Sequence, residues 1–416
     1  MISKWHWLLL QLTRRLWVRA SLFAILGVLT ALGAVAFEHM LPWPLPVDIG
    51  ADAVGGILNI LASSMLAVTT FSLGVMVSAY SAATSNVSPR ATKLLMQDST
   101  TQNALAAFIG SFLFSLVGIV TLAAGAYGDR GRVILYIVTL VVIGLVVFTI
   151  LRWIDHLSRL GRVGETSKRV EAAAMAAMKA RAAAPNLGAQ PMRDPPDAAR
   201  RIAATEIGYV QHVDVGALEE AAAAAEGRVY LGAAPGAFVY PSAALAWIEG
   251  DIDEAIVRDA FTIDAERTFD QDPRFGVSVL SEIAQRALSP GINDPGTAID
   301  ILSRQVRVLA VWAQREQTAD EVLCARVFAP ALAAEDLIED AFRAIARDGA
   351  GVVEVQMRLQ KALAALAPLG DAAFKAAVRR QSQAAVAYAN EVLKLQQDRE
   401  RVAEAARAVE AQCAGA

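Results

Sequence analysis

Residues 55–86, GGILNILASSMLAVTTFSLGVMVSAYSAATSN, carry no charge, and the uncharged run fills all 37 positions between Asp52 and Arg90. A helix crosses the roughly 30 Å hydrocarbon layer with about 20 apolar residues. This window is therefore a membrane span with length to spare. Three more windows satisfy the same rule: 18 uncharged positions between Arg19 and Glu38, 30 between Asp98 and Asp129, and 19 between Arg132 and Arg152. We place the spans at about 18–38, 55–86, 102–126 and 132–153. The first is not read as a cleaved signal peptide, because no small-residue cleavage site follows it and three more spans do.

Charge divides the 416-residue chain in two. Residues 1–160 hold ten Lys/Arg and six Asp/Glu, whereas the remaining 256 hold 28 and 36. The first part suits lipid and the second has an ordinary polar composition. A wholly soluble enzyme, a disordered chain and a disulfide-built secreted domain are excluded. Cys324 and Cys413 lie far apart and suit a reducing compartment. The four histidines lack metal-ligand spacing, and a net charge of −4 offers no basic surface to nucleic acid.

The flanks give a direction. With both termini inside, the inner flanks collect eleven Lys/Arg, including Lys4, Arg14, Arg15, Arg19, Arg90 and Lys93; the outer flanks hold only Arg130 and Arg132, beside Glu38, Asp48 and Asp52. The positive-inside rule then puts the polar region in the cytoplasm. Trp5, Trp7, Trp17, Trp43 and Trp153 fall near the expected interfaces, as an aromatic belt does.

In the second span Ser63, Ala67, Thr70, Gly74, Ser78, Ser81 and Ser85 step by four and three and share one helix face. Every side chain on it is small or hydroxylated. Two readings compete. Small faces let helices pack closely in lipid, and the same hydroxyls can line a water-filled path in an oligomer. On the second reading Arg90 and Lys93 flank the inner mouth; the bland alternative makes them topology anchors. No acidic or basic residue lies inside a span, which disfavours a proton-relay carrier.

Beyond the spans, residues 161–205 read as a connecting helix and Pro-rich linker, 206–250 as a small β-rich module, and 251–416 as a helical cytoplasmic domain. Strands are expected at 206–214, 228–231, 237–240 and 245–248, with a short helix over 215–225. The Pro235-Gly-x-Phe-Val arrangement is similar to the hairpins of biotinyl/lipoyl-type domains. No lysine occurs between Lys179 and Lys361, however, so a carrier, P-loop or pyridoxal-phosphate role fails there. From Phe374 to Val409 apolar residues follow a four-three alternation. That seam predicts one long C-terminal helix, either in a coiled coil between subunits or in a bundle within one.

Two segments, 266–276 and 287–298, interrupt the helical pattern. Two Pro and two Gly within residues 290–296 break the second. Asn293 or Asp294 is then placed to cap a helix whose first residue is Pro295. Asp270, Asp272, Asn293 and Asp294 have a second reading, as oxygen ligands for Ca²⁺ or Mg²⁺ or as the anionic side of a gate. EF-hand spacing is absent.

Residues 88–90 (SPR), 267–276 (RTFDQDPRFG) and 286–298 (RALSPGINDPGTA) resemble signature stretches of a family of bacterial inner-membrane proteins catalogued as a domain of unknown function. The resemblance runs over nearly the whole chain, with Gly291 a small departure. It implies four spans in the inner membrane and a cytoplasmic C-terminal region, and it assigns no catalytic residue.

The expected fold is mainly α: a four-helix transmembrane domain, then a cytoplasmic α+β region with a small β-module and a helical bundle ending in a long helix. The expected function is a homo-oligomeric ion channel or pore, lined by Ser63, Thr70, Gly74, Ser78, Ser81 and Ser85, with a cytoplasmic gating or vestibule domain. The alternative is a non-conducting, membrane-anchored scaffold. Neither reading calls for catalysis, a cofactor or a bound metal. The expected partners are the lipid bilayer, further copies of the chain and small ions, with no nucleic acid.

Overall fold

The computed structural model describes residues 4–13, 15–38, 50–96, 98–315 and 322–414. Arg14, Trp43 and Asp48, used above for topology, lie outside the described residues. Among the described residues, six helices precede residue 160: α1 (Lys4–Thr13), α2 (Leu16–Glu38), α3 (Ala51–Asn86), α4 (Pro89–Met96), α5 (Ser99–Ala123) and α6 (Asp129–Leu157). Four of them, α2, α3, α5 and α6, are long and apolar enough to cross a membrane. Their bounds follow the charge-free windows. With 36 residues, α3 is about 54 Å long at 1.5 Å per residue, well beyond the apolar layer.

The chain forms two compact units, one of Leu8–Thr84 and Thr92–Glu165, the other of Met1–Trp7, Ser85–Ala91 and Thr166–Ala416. In the first, α2 and α5 approach through glycines. A Cβ on Gly27 would lie 2.4 Å from the Gly110 carbonyl oxygen, and one on Gly110 would lie 2.8 Å from that of Phe23. Close packing of small residues is thus spent on the α2–α5 contact. Val54 and Leu58 of α3 join Ala31, Phe114, Tyr127 and Leu135 in one apolar cluster. Leu61 and Met65 join Phe108, Val146 and Trp153 in another.

The expected aromatic belt is only partly realised. Trp17 is 62% exposed, but Trp7 and Trp153 are buried by protein. Trp153 stacks on His156 and donates to Ser72 Oγ at 3.0 Å. Trp7 stacks on His212 and donates to Asp270 Oδ2 at 3.1 Å. Each indole N–H finds an acceptor inside the protein instead of at a lipid headgroup.

The second unit includes most of α7 (Val163–Ala183) and holds eight described strands: β1 (Ala189–Pro191), β2 (Arg200–Ala203), β3 (Gly208–Val213), β4 (Arg228–Leu231), β5 (Phe238–Val239), β6 (Ala244–Glu249), β7 (Phe261–Asp264) and β8 (Cys324–Ala329). Five form a mixed sheet in the order β1-β8-β4-β6-β2, and three an antiparallel sheet in the order β5-β3-β7. Helices α8 (Val215–Ala224) and α9 (Glu254–Asp259) lie among them in sequence. Strands β3 to β6 and α8 fall where the sequence puts them. The β structure is not confined to 206–250, however. Strands β1 and β2 come from the expected linker, and β7 and β8 from the region expected to be helical. β8 runs between β1 and β4, parallel to both. An interior strand covered on both faces lacks polar–apolar alternation, so it is hidden among Ala-rich helices.

Among the described residues, six α-helices complete the unit: α10 (Pro273–Leu288), α11 (Pro295–Ala313), α12 (Ala334–Asp348), α13 (Val353–Leu366), α14 (Ala372–Val392) and α15 (Gln396–Ala414). They pack as a bundle around Trp312, Phe342 and Phe374. The single long C-terminal helix of the sequence reading is in fact the pair α14 and α15. Leu393 takes an extended backbone and is buried with Ala389 and Val402, while Val392 and Leu395 of the seam are exposed. α15 then folds back along α14: Arg379 pairs with Glu410 at 2.8 Å, and Cys413 Sγ lies 3.6 Å from the Lys375 carbonyl oxygen. Tertiary burial of Leu393 outweighs helix continuity, and Phe374, Val378, Ala385, Val402 and Val409 of the seam are buried within one chain.

Candidate functional site

α3 is divided lengthwise. Leu58, Leu61, Met65, Ser72, Met76 and Ala83 are buried, whereas Ser63, Ala67, Thr70, Gly74, Ser78, Ser81 and Ser85 are all exposed. A Cβ on Gly74 would meet nothing within 4 Å. The small face is therefore not the one that packs α3 into its own unit. Ser63 and Thr70 donate back to the Asn59 and Leu66 carbonyls at 2.9 Å, and Ser78 to that of Gly74 at 3.0 Å. With those protons committed to the helix, the hydroxyls present oxygen lone pairs outward.

The chain leaving α3 is clipped by α10. Ser88 Oγ donates to Glu282 Oε2 at 2.9 Å, and Arg90 pairs with the other oxygen of that carboxylate. One turn later, Arg286 donates twice to the Ser85 carbonyl oxygen, at 2.9 and 2.6 Å. A guanidinium there satisfies an orphan carbonyl and complements the negative end of the helix dipole. Glu282 and Arg286 are four apart, hence on one face of α10. The 88–90 stretch is thus held by Glu282, and the first residue of the 286–298 stretch holds Ser85 just ahead of it. Arg90, expected at an inner mouth, is engaged by a carboxylate, and Lys93 is half-buried on α4.

The 267–276 stretch knots α7, β3, α10 and α12 together. Asp272, 3% exposed, caps α10 through the Phe275 N–H at 3.1 Å and accepts from Arg267 Nε at 2.7 Å. Arg181 of α7 donates to the Gln271 carbonyl at 3.2 Å; burial lowers its pKa to about 10, a shift the nearby Asp272 opposes. Gln271 accepts the Val213 N–H of β3 at 3.0 Å. Arg274 bridges Asp336 and Asp340 of α12 at 2.6 and 2.7 Å. A Cβ on Gly276 would lie 2.5 Å from that of Ala174, so only glycine lets α7 and α10 touch here.

Of the four candidate oxygen ligands, Asp270 serves Trp7 and Asp272 serves the cap and Arg267. Asp294 caps α11 through the Thr297 N–H and hydroxyl at 3.0 and 2.6 Å, with Pro295 as the first helical residue. Asn293 has φ +50°, the left-handed turn conformation that asparagine tolerates. They are not brought into one cage. Among the described residues no group of three or more His, Cys, Asp or Glu side chains is arranged to hold a metal ion.

One buried polar pair, His156 with Asp98, carries no motif in the sequence. His156 Nε2 lies 2.8 Å from Asp98 Oδ2, with the two side chains 14% and 8% exposed. Thr101 donates to the same oxygen through its hydroxyl at 2.6 Å and its N–H at 2.9 Å. Asp98 is the N-cap of α5, and His156 sits in the last turn of α6. Only their places at the edges of two charge-free windows hinted at a meeting, since 58 positions separate them.

A family described as "Predicted membrane protein (DUF2254)" matches residues 13–365. Uncharacterized proteins of Mycobacterium bovis and of two strains of Mycobacterium tuberculosis are 26% identical over 278 residues, 62% of this chain and 52% of theirs. The chain spans about half the length of these curated relatives. No solved structure matches it.

Proposed function

The chain belongs to this family of predicted membrane proteins, and from that premise we propose that it is a homo-oligomeric ion channel of the bacterial inner membrane. Copies meet around the small face of α3, and both termini lie in the cytoplasm with the C-terminal unit as vestibule or gate. The observation that carries the reading is the exposure of Ser63, Thr70, Gly74, Ser78, Ser81 and Ser85 together on one face. A hydroxyl facing hydrocarbon gains nothing, whereas a shared aqueous axis hydrates it and lets its oxygen replace part of an ion's water shell. Outward lone pairs suit cations. The eleven basic residues of the inner flanks support the orientation.

The clip at Ser85–Ala91 supplies the gating link. Displacement of α10 is passed through Glu282 and Arg286 to the end of α3. No catalytic activity or cofactor is part of the proposal. A non-conducting scaffold is the second reading, favoured by Ile207, Phe238 and Tyr240, which leave an exposed apolar patch of 67%, 55% and 55% in and beside the small sheet.

Ion flux from proteoliposomes holding the full-length chain tests the channel. A cation flux that Ser78→Trp abolishes and Val141→Trp, on exposed α6, leaves intact supports it. No flux under voltage, tension or pH steps, with a stoichiometric soluble partner captured by crosslinking, transfers the case to the scaffold.

A further inference from the structure

We propose that the cavity beside the start of α5, within the membrane unit, is a headgroup site for an anionic phospholipid. The cavity measures about 270 Å³, and its wall includes Phe23, Ser99, Thr100, Asn103, Phe148 and Arg152. Its polar side is rich in unused donors. Arg152 makes no hydrogen bond or ion pair among the described residues, so its planar fork of N–H groups is unspent. Ser99 and Thr100 are the first two residues of α5, where backbone N–H groups precede the helical ladder and the dipole favours an anion. The Asn103 side-chain oxygen accepts from Arg19 at 2.8 Å, which leaves its amide N–H groups as further donors.

The nearby acid does not oppose this. Asp98 directs its carboxylate at His156, 2.8 Å away, and at Thr101, 2.6 Å away. Asp155, the other acid at this end of α6, pairs with Arg159 at 2.9 Å. Trp153, fixed by its bond to Ser72, forms part of the same wall.

The apolar side separates a lipid from a free anion. Phe148 and Leu145 line the cavity yet are 62% and 53% exposed, so they form its outer lip. Leu151, 64% exposed, continues that surface along α6. A volume near 270 Å³ falls below the roughly 300–1,000 Å³ of sites that enclose a whole small molecule. It accommodates a phosphodiester and leaves the acyl chains lying outside, against Phe148 and Leu151. Basic pockets between membrane helices commonly hold anionic headgroups in this way.

Native mass spectrometry of the full-length protein in detergent, titrated with dioleoyl phosphatidylglycerol or dioleoyl phosphatidylcholine, tests the site. Phosphatidylglycerol is expected to be retained about tenfold more strongly than phosphatidylcholine. Arg152→Gln should lower its retention by about tenfold, and Arg152→Lys should restore part of it. Thr100→Val, a milder change, should weaken binding by about threefold. Millimolar inorganic phosphate should leave the bound lipid in place. Equal retention of the two lipids, or full retention by Arg152→Gln, overturns the proposal. Displacement by phosphate also overturns it, by reassigning the cavity to a free anion.

Discussion

Glu282 and Ser88, 194 positions apart in sequence, are joined by a 2.9 Å hydrogen bond. The same carboxylate holds Arg90, and Arg286 holds Ser85 from the next turn of α10. A loop flanking a membrane span is therefore fastened at three points to a helix of the C-terminal unit.

Arg90 is 61% exposed and Glu282 26%, so their ion pair is worth under about 1 kcal/mol. The Ser88 bond to a charged acceptor adds about 1.5 kcal/mol. Glu282→Ala is expected to raise amide exchange at residues 86–92 by roughly ten- to thirtyfold, with α14 and α15 unchanged. Glu282→Gln, which still accepts from Ser88, should fall between. Identical exchange in wild type and Glu282→Ala would remove the clip from the account.

Asp272→Asn keeps an oxygen for the α10 cap but leaves Arg181 and Arg267 facing a neutral amide. Removing one partner of a buried charge pair costs about 3–5 kcal/mol, and Asp272→Ala loses the cap as well, about 1 kcal/mol more. The apparent melting temperature of the full-length protein should fall in that order. Adding Arg181→Met to Asp272→Asn should recover part of the loss, because the stranded charge leaves with its partner. A double variant less stable than Asp272→Asn alone contradicts this assignment.

The Thr297 hydroxyl, and then its N–H, hold the Asp294 carboxyl below its ordinary value of 3.8. A depressed folded-state pKa contributes stability that is complete above the unfolded value and disappears as pH falls through the folded one. Wild type should therefore exceed Asp294→Asn in stability near neutrality and lose that margin below pH 3.8. Asp294→Ala should cost about 1 kcal/mol at neutral pH through loss of the cap. A margin that stays constant down through the acid range would contradict the link to Thr297.

The four membrane helices were legible in the sequence because hydrocarbon permits few charges, and a window free of charge is a local property. The α11 cap was legible for a similar reason: Asp294-Pro295 states its chemistry within two residues. Strand β8 was not, since it depends on β1 and β4, which lie far away in sequence and leave no alternation in Cys324–Ala329. The C-terminal seam misled because a four-three spacing continues across a turn when both arms of a hairpin keep their apolar faces inward. The buried settings of His156 and Trp7 were hidden for the same reason, their partners Asp98 and Asp270 being remote. The small face of α3 could be seen in the sequence, but whether neighbours within the chain cover it could not. Only three-dimensional packing separates the face of Leu58 and Met65 from that of Gly74 and Ser78.

The most direct test is disulfide crosslinking in native membranes, on a background with Cys324 and Cys413 replaced by alanine. Copies meeting along the α3 face predict that Thr70→Cys and Ser78→Cys each form covalent dimers on mild oxidation, while Val141→Cys on the exposed side of α6 does not. If Val141→Cys crosslinks and both α3 positions stay monomeric, α3 faces lipid alone and no shared axis exists.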